Sequence, residues 1–360
     1  GWGLGHVSRQ IALAREIRRR QPDHEFLFLT SSDATHLISR EGFPSLKIPE
    51  RDWLKRPDER IISDENLVRI THPVVKACAA GYQPHAIIID TYPRGLYGEL
   101  WPLLAYPAFR FFVARENKSF REPKIQEALA RYHMVLVPYR EGEVDLPIPR
   151  GPKMEWVGPI LVRSREDALP RAEARSRLAL PADGRVCLIS FGGGGNPQYA
   201  ELEAWAVELA DAYPQWTFAL ASPPLLSSVV HYPGFTNVTR FHYYPMAECF
   251  DAFDAAVTTT GSSAYELAHF GVPSILVPHS GILTDEDYEA KAHRIVAATG
   301  GQVVKGGDTD ALVKAFSAFA ESARLAAATD KPAQAGFPNG AGRSADVLLR
   351  FIETHRRKRK

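Results

Sequence analysis

The chain has 360 residues, 45% of them hydrophobic and 24% charged, with a formal net charge of +1 at pH 7. That length exceeds one ordinary core and suits two domains, and the composition excludes both a disordered chain and one built of membrane spans. A net charge this close to zero supplies no field for nucleic acid, so no nucleic-acid partner is expected.

The chain opens on Gly1-Trp-Gly-Leu-Gly5-His6-Val-Ser-Arg9, a glycine-rich turn entering a helix. Val7, Ile11, Ala14 and Ile17 give that helix a buried stripe at helical spacing, with Arg15, Arg18, Arg19 and Arg20 opposite. The strand that feeds such a turn is expected ahead of Gly1. The apolar run Phe26–Thr30 then opens a doubly wound sheet. His6 has two readings. Held by a glycine turn at the carboxyl end of a parallel sheet, it suits a base with a near-neutral pKa at a ligand cleft; alternatively it caps the helix or packs under the loop.

A helix is predicted near Asp33–Arg40, a strand around Ser45–Ile48, and a Pro- and charge-rich loop over the cleft at 49–60. Ala86–Ile89 reads as a buried parallel strand with Asp90 at its carboxyl end, where open α/β sheets place ligand-binding groups; the other reading has Asp90 capping the turn through Thr91 and Tyr92. Phe109–Val113 and Met134–Pro138 are further strands. Arg115, Glu116 and Asn117 follow the first of them, either on an acceptor side of the cleft or in a solvated loop. Residues 139–155, rich in Gly and Pro, read as an interdomain hinge closing at Trp156–Ile160, and 163–180 as a helix.

The second half begins with the strand Arg185–Phe191, the loop Gly192-Gly193-Gly194-Gly195-Asn196 and a helix over about 198–211. Consecutive glycines let backbone N–H groups approach an anion, and Asn196 can cap the helix. Trp216–Ala221 and Asn237–Phe241 are strands. Asp254–Thr258 is another, leading into Gly261-Ser262-Ser263 and a helix capped by Ser262 or Ser263, whose first N–H groups attract an anion. Glu266, one helical step from Ser262, places a carboxylate at the same opening to accept hydroxyls, so phosphate and ribose together suit the pair. Gly271-Val-Pro273 stops the helix and Ser274–Pro278 returns to the sheet. An acidic segment, Thr284–His293, and a last helix over about 341–355 complete the chain.

The string Gly261-Ser-Ser-Ala-Tyr-Glu266…Gly271-Val-Pro273 resembles the donor-binding motif of GT-B glycosyltransferases, in particular the MurG-like and UDP-glycosyltransferase group. The loops at 3–9 and 190–196 resemble that group too, and Asp90–Leu100 is similar to a branch of bacterial glycosyltransferases. The resemblance implies two Rossmann-like domains facing a cleft: an acceptor-binding domain over 1–157, a nucleotide-sugar-binding domain over 158–340, and a helix and basic tail at 341–360 packing back across the junction. It implies His6 as the base that deprotonates an acceptor hydroxyl, with Asp90 orienting it. Gly193, Gly194, Gly195, Asn196, Gly261, Ser262 and Ser263 would face the donor diphosphate. His242 would contact the base, Glu266 the ribose, and Asp287 and Tyr288 the donor sugar, Tyr288 standing where the group has glutamine.

The activity implied is inverting, metal-independent transfer from a UDP- or dTDP-sugar to a small-molecule, lipid or glycan acceptor, with no cofactor besides the nucleotide sugar. A hydrolase of the PseG type shares much of the pattern, and a non-catalytic sugar-nucleotide-binding protein is the third reading. Cys78, Cys187 and Cys249 show no metal-ligand spacing and suit a reducing compartment; with no signal peptide visible, a cytoplasmic location is expected. The tail Arg356–Lys360 reads as a solvated terminus, with weak membrane-surface contact as the alternative.

Overall fold

The computed structural model describes residues 4–50, 62–194, 198–225, 230–278, 288–321 and 337–357. The first half carries strands β1 (Phe28–Thr30), β2 (Ser45–Lys47), β3 (Ala86–Asp90), β4 (Phe109–Val113), β5 (Met134–Val137) and β6 (Lys153–Trp156), with helices α1 (Gly5–Arg20), α2 (Thr35–Arg40), α3 (Asp64–Tyr82), α4 (Trp101–Leu104) and α5 (Pro123–Leu129). The second carries β7 (Arg185–Ser190), β8 (Trp216–Ala221), β9 (Val238–Phe241), β10 (Ala255–Thr259), β11 (Ser274–Val277) and β12 (Gln302–Val303). Its helices are α6 (Arg171–Arg177), α7 (Tyr199–Val207), α8 (Leu209–Ala212), α9 (Ser262–His269), α10 (Tyr288–Thr299) and α11 (Thr309–Glu321). A C-terminal helix spans Gly340–Arg357.

Among the described residues every strand pairing is parallel. The second half is one six-stranded sheet ordered β12-β11-β10-β7-β8-β9, and the first holds β3-β4-β5-β6 and a separate β1-β2 pair. Parallel strands covered on both faces read as apolar runs, and the burial here follows that rule. In β7, Val186 and Leu188 join one core while Cys187 and Ile189 join the other, so successive side chains feed opposite faces. In β4, Phe109 and Phe111 go to one face and Phe112 to the other. Between β1 and β3 lies an apolar cavity of about 520 Å³ walled by α1, α3 and the two strands.

Val7, Ile11 and Ala14 of α1 share a core with Phe250, Phe253 and Phe270 of the second half. Leu13 and Ile17, on the other side of the same helix, pack with Phe109, Phe111, Ala345 and Leu348. The C-terminal helix thus returns to the first half and covers its sheet, with an ion pair from Arg20 Nε to Asp346 Oδ1 at 2.6 Å. The return is anchored where the chain crosses. Gly340 N donates to Pro159 O at 2.7 Å, and the Asn339 amide binds Leu161 N, Leu161 O and Arg163 O at 3.0 to 3.2 Å. A Cβ on Gly340 would lie 2.4 Å from Val157 O, so only glycine fits between the two crossings. Nearby, the 5%-exposed Arg163 side chain bridges Glu41 of the first half and Glu248 of the second, each at 2.6 Å.

Two expectations change. Residues 153–156 form β6 rather than hinge, which leaves Val157–Ile160 as the first crossing. The helix expected over 163–180 is a 3-10 turn at Arg165–Asp167 followed by the short α6, because Pro170 lacks an N–H and holds its predecessor extended. The expected loop at 49–60 falls almost wholly outside the described residues.

Candidate active site

A cleft of about 260 Å³ separates the halves, lined by Gly5, Ser8 and Arg9 from one side and by Gly192, Gly193, Gly261–Ser263 and Glu266 from the other. The two walls nearly touch at their glycines. A Cβ on Gly5 would lie 3.0 Å from Ser262 Oγ, and one on Gly193 would lie 2.7 Å from Leu4 Cγ. Glycine at both positions therefore sets how closely the loops approach.

His6 sits on the first turn of α1, 29% of its side chain exposed, with Nδ1 2.9 Å from Asp90 Oδ1. An ionised carboxylate only accepts, so Nδ1 carries the hydrogen and Nε2 keeps its lone pair. Burial lowers the His6 pKa below its ordinary 6.5; the hydrogen bond and charge of Asp90 oppose this, and the charges of Arg9 and Arg115 add to it. The ring is thereby held neutral near pH 7, the form a general base needs.

Asp90 ends β3, and burial alone would raise its pKa. The Arg9 guanidinium and the bonds from His6 and Arg9 outweigh burial and hold the carboxyl well below the usual range. Arg9, itself 6% exposed, donates from Nε to Asp90 Oδ2 at 3.0 Å and from Nη2 to Oδ1 at 2.5 Å. Gln10 Nε2 adds a bond to Oδ2 at 3.2 Å. Thr91 Oγ1 donates to Oδ1 at 2.7 Å, from a backbone at φ +62. A β-branched residue there stores about 1–3 kcal/mol of strain, and Thr91 is buried with its hydroxyl in the His6–Asp90 cluster. Arg9 is three residues from His6 on the helix, so helical spacing alone carried the signal for it. Thr91 had no such signal, since positive φ cannot be read from threonine.

On the opposite wall, α9 starts at Ser262 with Gly261 as its N-cap and no side-chain cap bond. The expected capping by Ser262 or Ser263 is thus corrected: they are the first two helical residues, and the leading N–H groups have no side-chain oxygen seated on them. Glu266 is 8% exposed and lines the cleft. Burial raises its pKa to about 7, against the lowering effects of a bond from the Val162 backbone and the Arg163 charge. Gly192 and Gly194 take left-handed backbones at φ +89 and +93, which glycine alone adopts without strain. Gly195, Asn196 and Asp287 lie outside the described residues.

His242 is exposed and does not line the cleft, whereas Tyr243–Ala247 do, so the structure moves this candidate contact from the His242 side chain to the loop after it. Tyr288 begins α10, close to Tyr92 of the first half, whose pKa burial raises, with the Tyr288 charge adding to it and that of Arg115 opposing it. Arg115 lines the cleft; Asn117, far from solvated, is buried and accepts from Ser119 N at 2.9 Å to cap the following turn. Lys291, which sequence reasoning did not single out, lines the cleft from α10.

No family model matches the chain. Among curated proteins it is 26% identical to the UDP-N-acetylglucosamine–N-acetylmuramyl-(pentapeptide) pyrophosphoryl-undecaprenol N-acetylglucosamine transferase of Clavibacter michiganensis subsp. michiganensis, over 97% of this chain and 94% of that protein. It is 22% identical to the Bacillus subtilis enzyme of the same name, over 96% of each chain. Among solved structures, Acinetobacter baumannii MurG matches 97% of both chains with a TM-score of 0.59 at 14% identity. The spinosyn forosaminyltransferase SpnP covers 98% of this chain and 97% of its own, with a TM-score of 0.64 at 14% identity. The fold is accordingly the one the sequence implied, two Rossmann-like domains facing a cleft.

Proposed function

Starting from a nucleotide-sugar-dependent glycosyltransferase of GT-B fold, similar to the MurG-like group, we propose an inverting, metal-independent transfer of a sugar from a UDP- or dTDP-sugar to an acceptor hydroxyl. One observation carries this reading: the Asp90-bound His6 directly follows Gly5, which lines both the cleft closed by the uncapped start of α9 and the adjoining cavity that His6 and Asp90 line. The acceptor oxygen attacks the anomeric carbon on the face opposite the diphosphate, the new C–O bond forming as the bond to the phosphate oxygen breaks. His6 Nε2 takes the hydroxyl proton, and Asp90 stabilises the imidazolium. The N–H groups at Ser262–Ser263 and at Gly193–Asn196 stabilise charge on the departing diphosphate, the task a divalent ion performs elsewhere. A single displacement of this kind inverts the anomeric centre.

In this reading Glu266 takes the ribose hydroxyls, the loop at Tyr243–Ala247 holds the base, and Asp287 and Tyr288 meet the sugar. The acceptor is a lipid-linked glycan or a small molecule, the former favoured by relatives that match nearly the whole chain and are named for an undecaprenol-linked acceptor. Domain limits at 157/158 and 340/341, a cytoplasmic site of action, weak contact with a membrane surface, and no cofactor or nucleic-acid partner complete it. Among the described residues no helix is long and apolar enough to cross a membrane.

The test is release of UDP or dTDP from a panel of nucleotide sugars, with and without lipid-linked and soluble acceptors. Acceptor-dependent release, with NMR showing an inverted glycosidic linkage, is expected. Equal release in water alone would establish a hydrolase instead, and binding without turnover a non-catalytic protein.

The Glu266 carboxyl gives a second expected outcome. Ribose hydroxyls donate to its ionised form, so binding draws the group toward ionisation. Nucleotide affinity therefore rises as pH increases through about 7, with a proton released on binding on the acid side of that value. Calorimetry in buffers of different ionisation enthalpy measures that proton, and Glu266→Gln removes both it and the pH dependence.

A further inference from the structure

The two halves follow one plan and differ at one strand. In the second, β7 lies between β8 and β10, parallel to both, and runs into the glycine loop ahead of α7. In the first, a glycine-rich run likewise leads into α1, β1 and β2 pair as β8 and β9 do, and β3, β4 and β5 follow one another as β10, β11 and β12 do. Among the described residues no strand joins β1 to β3, and the position that β7 holds in the second half falls on the cavity of about 520 Å³ between them.

Both sides of that slot are strand edges. Phe28 N donates to Pro44 O at 3.0 Å and Ile48 N to Thr30 O at 2.9 Å, so Phe28 and Thr30 turn their peptide groups toward β2. Successive residues of a strand alternate in this respect, which turns the Leu29 N–H and C=O into the slot. On the far side His85 O accepts from Phe109 N at 3.0 Å and Thr91 N donates to Val113 O at 2.9 Å, so the Ala86 and Ile88 peptide groups face inward. The two edges are level, because Leu29 packs into the same core as Ile87 and Ile89. Leu13 and Ala14 line the slot from α1, and Val75 and Ala79 from α3. An apolar small molecule would suit these side chains but leave the inward peptide groups without hydrogen bonds; an extended peptide satisfies both.

We propose that the slot seats one extended apolar segment matching the five residues of β3, a strand that completes the order β2-β1-strand-β3-β4-β5-β6 and continues into α1. Gly5 and His6 line the slot at the end where His6 meets Asp90, the carboxyl end of β3. A strand that leaves the slot there to enter α1 runs parallel to β3, as β7 does to β10. The segment is thus one joined ahead of Gly1. Of the stretches outside the described residues, 51–61 has seven charged residues in eleven and does not suit the apolar walls. Bonded along β3, the strand steadies the end that presents Asp90 to His6.

The experiment joins to Gly1 either a copy of β7, Arg185–Ser190, or a Gly/Ser hexapeptide, and compares the two by site-resolved hydrogen–deuterium exchange and thermal unfolding. With the β7 copy, exchange at the Leu29 and Ile88 amides is expected to slow about 10-fold or more and the unfolding midpoint to rise by about 5 °C or more, relative to the Gly/Ser chain. Exchange at Leu29 and Ile88 that is equally fast in both chains overturns the proposal. Equal slowing at those amides by decanol added to the Gly/Ser chain also overturns it, and makes the slot a site for an apolar small molecule.

Discussion

His6→Ala lowers kcat by on the order of 10²–10⁴-fold, the range a general base contributes, while the dissociation constant for UDP or dTDP stays within about twofold of wild type. The split follows from the geometry. His6 lies on the first turn of α1 with Asp90 behind it, while the α9 start and Glu266 belong to the opposite wall and keep their places without it. The measurement is steady-state turnover with a saturating acceptor beside calorimetric nucleotide binding. Full activity in the alanine variant would remove the base from this ring. The wild-type pH profile supplies an independent check: the folded His6 pKa lies below 6.5, so the acid limb of kcat/KM falls below that value.

Asp90→Asn carries the second large effect, on rate and stability at once. An asparagine amide presented to Nδ1 can donate, which favours the hydrogen on Nε2 and removes the lone pair that takes the acceptor proton; a kcat loss on the order of 10²–10⁴-fold is expected. The same change leaves the 6%-exposed Arg9 without its counter-charge, at a cost of about 3–5 kcal/mol that thermal or denaturant unfolding reads directly. The sign against pH follows from the depressed pKa. The Asp90 contribution is fully present above the ordinary carboxylate value of about 3.9 and is lost as pH falls through the folded pKa. Wild type should therefore outlast the asparagine variant at neutral pH, and the difference should narrow in acid.

Much of this arrangement was legible in the amino-acid order, because parallel strands announce themselves as short apolar runs and the residues at their carboxyl ends are few. Asp90, Gly192–Gly194 and Gly261–Glu266 each sit at such an end, and the structure gathers them with His6 into one region. What escaped was whatever depends on distance through space. Arg115 and Lys291 come from opposite halves, and nothing local in either sequence reports the other. The left-handed Thr91 leaves no trace in composition. The β6 strand was hidden by flanking prolines and glycines, and the serines that begin α9 suggested caps, whereas Gly261 holds the N-cap position and no side-chain cap bond forms.

The double crossing between the halves also limits how the cleft can move. Two antiparallel lengths of chain, Val157–Ile160 going out and Asn339–Gly340 coming back, are bonded side by side, so neither can twist without dragging the other. A single tether would leave three rotational freedoms; a laminated pair suppresses torsion and leaves bending about one axis. The registry of His6 with the start of α9 therefore rests on this bonded pair as well as on the core that α1 shares with Phe250, Phe253 and Phe270.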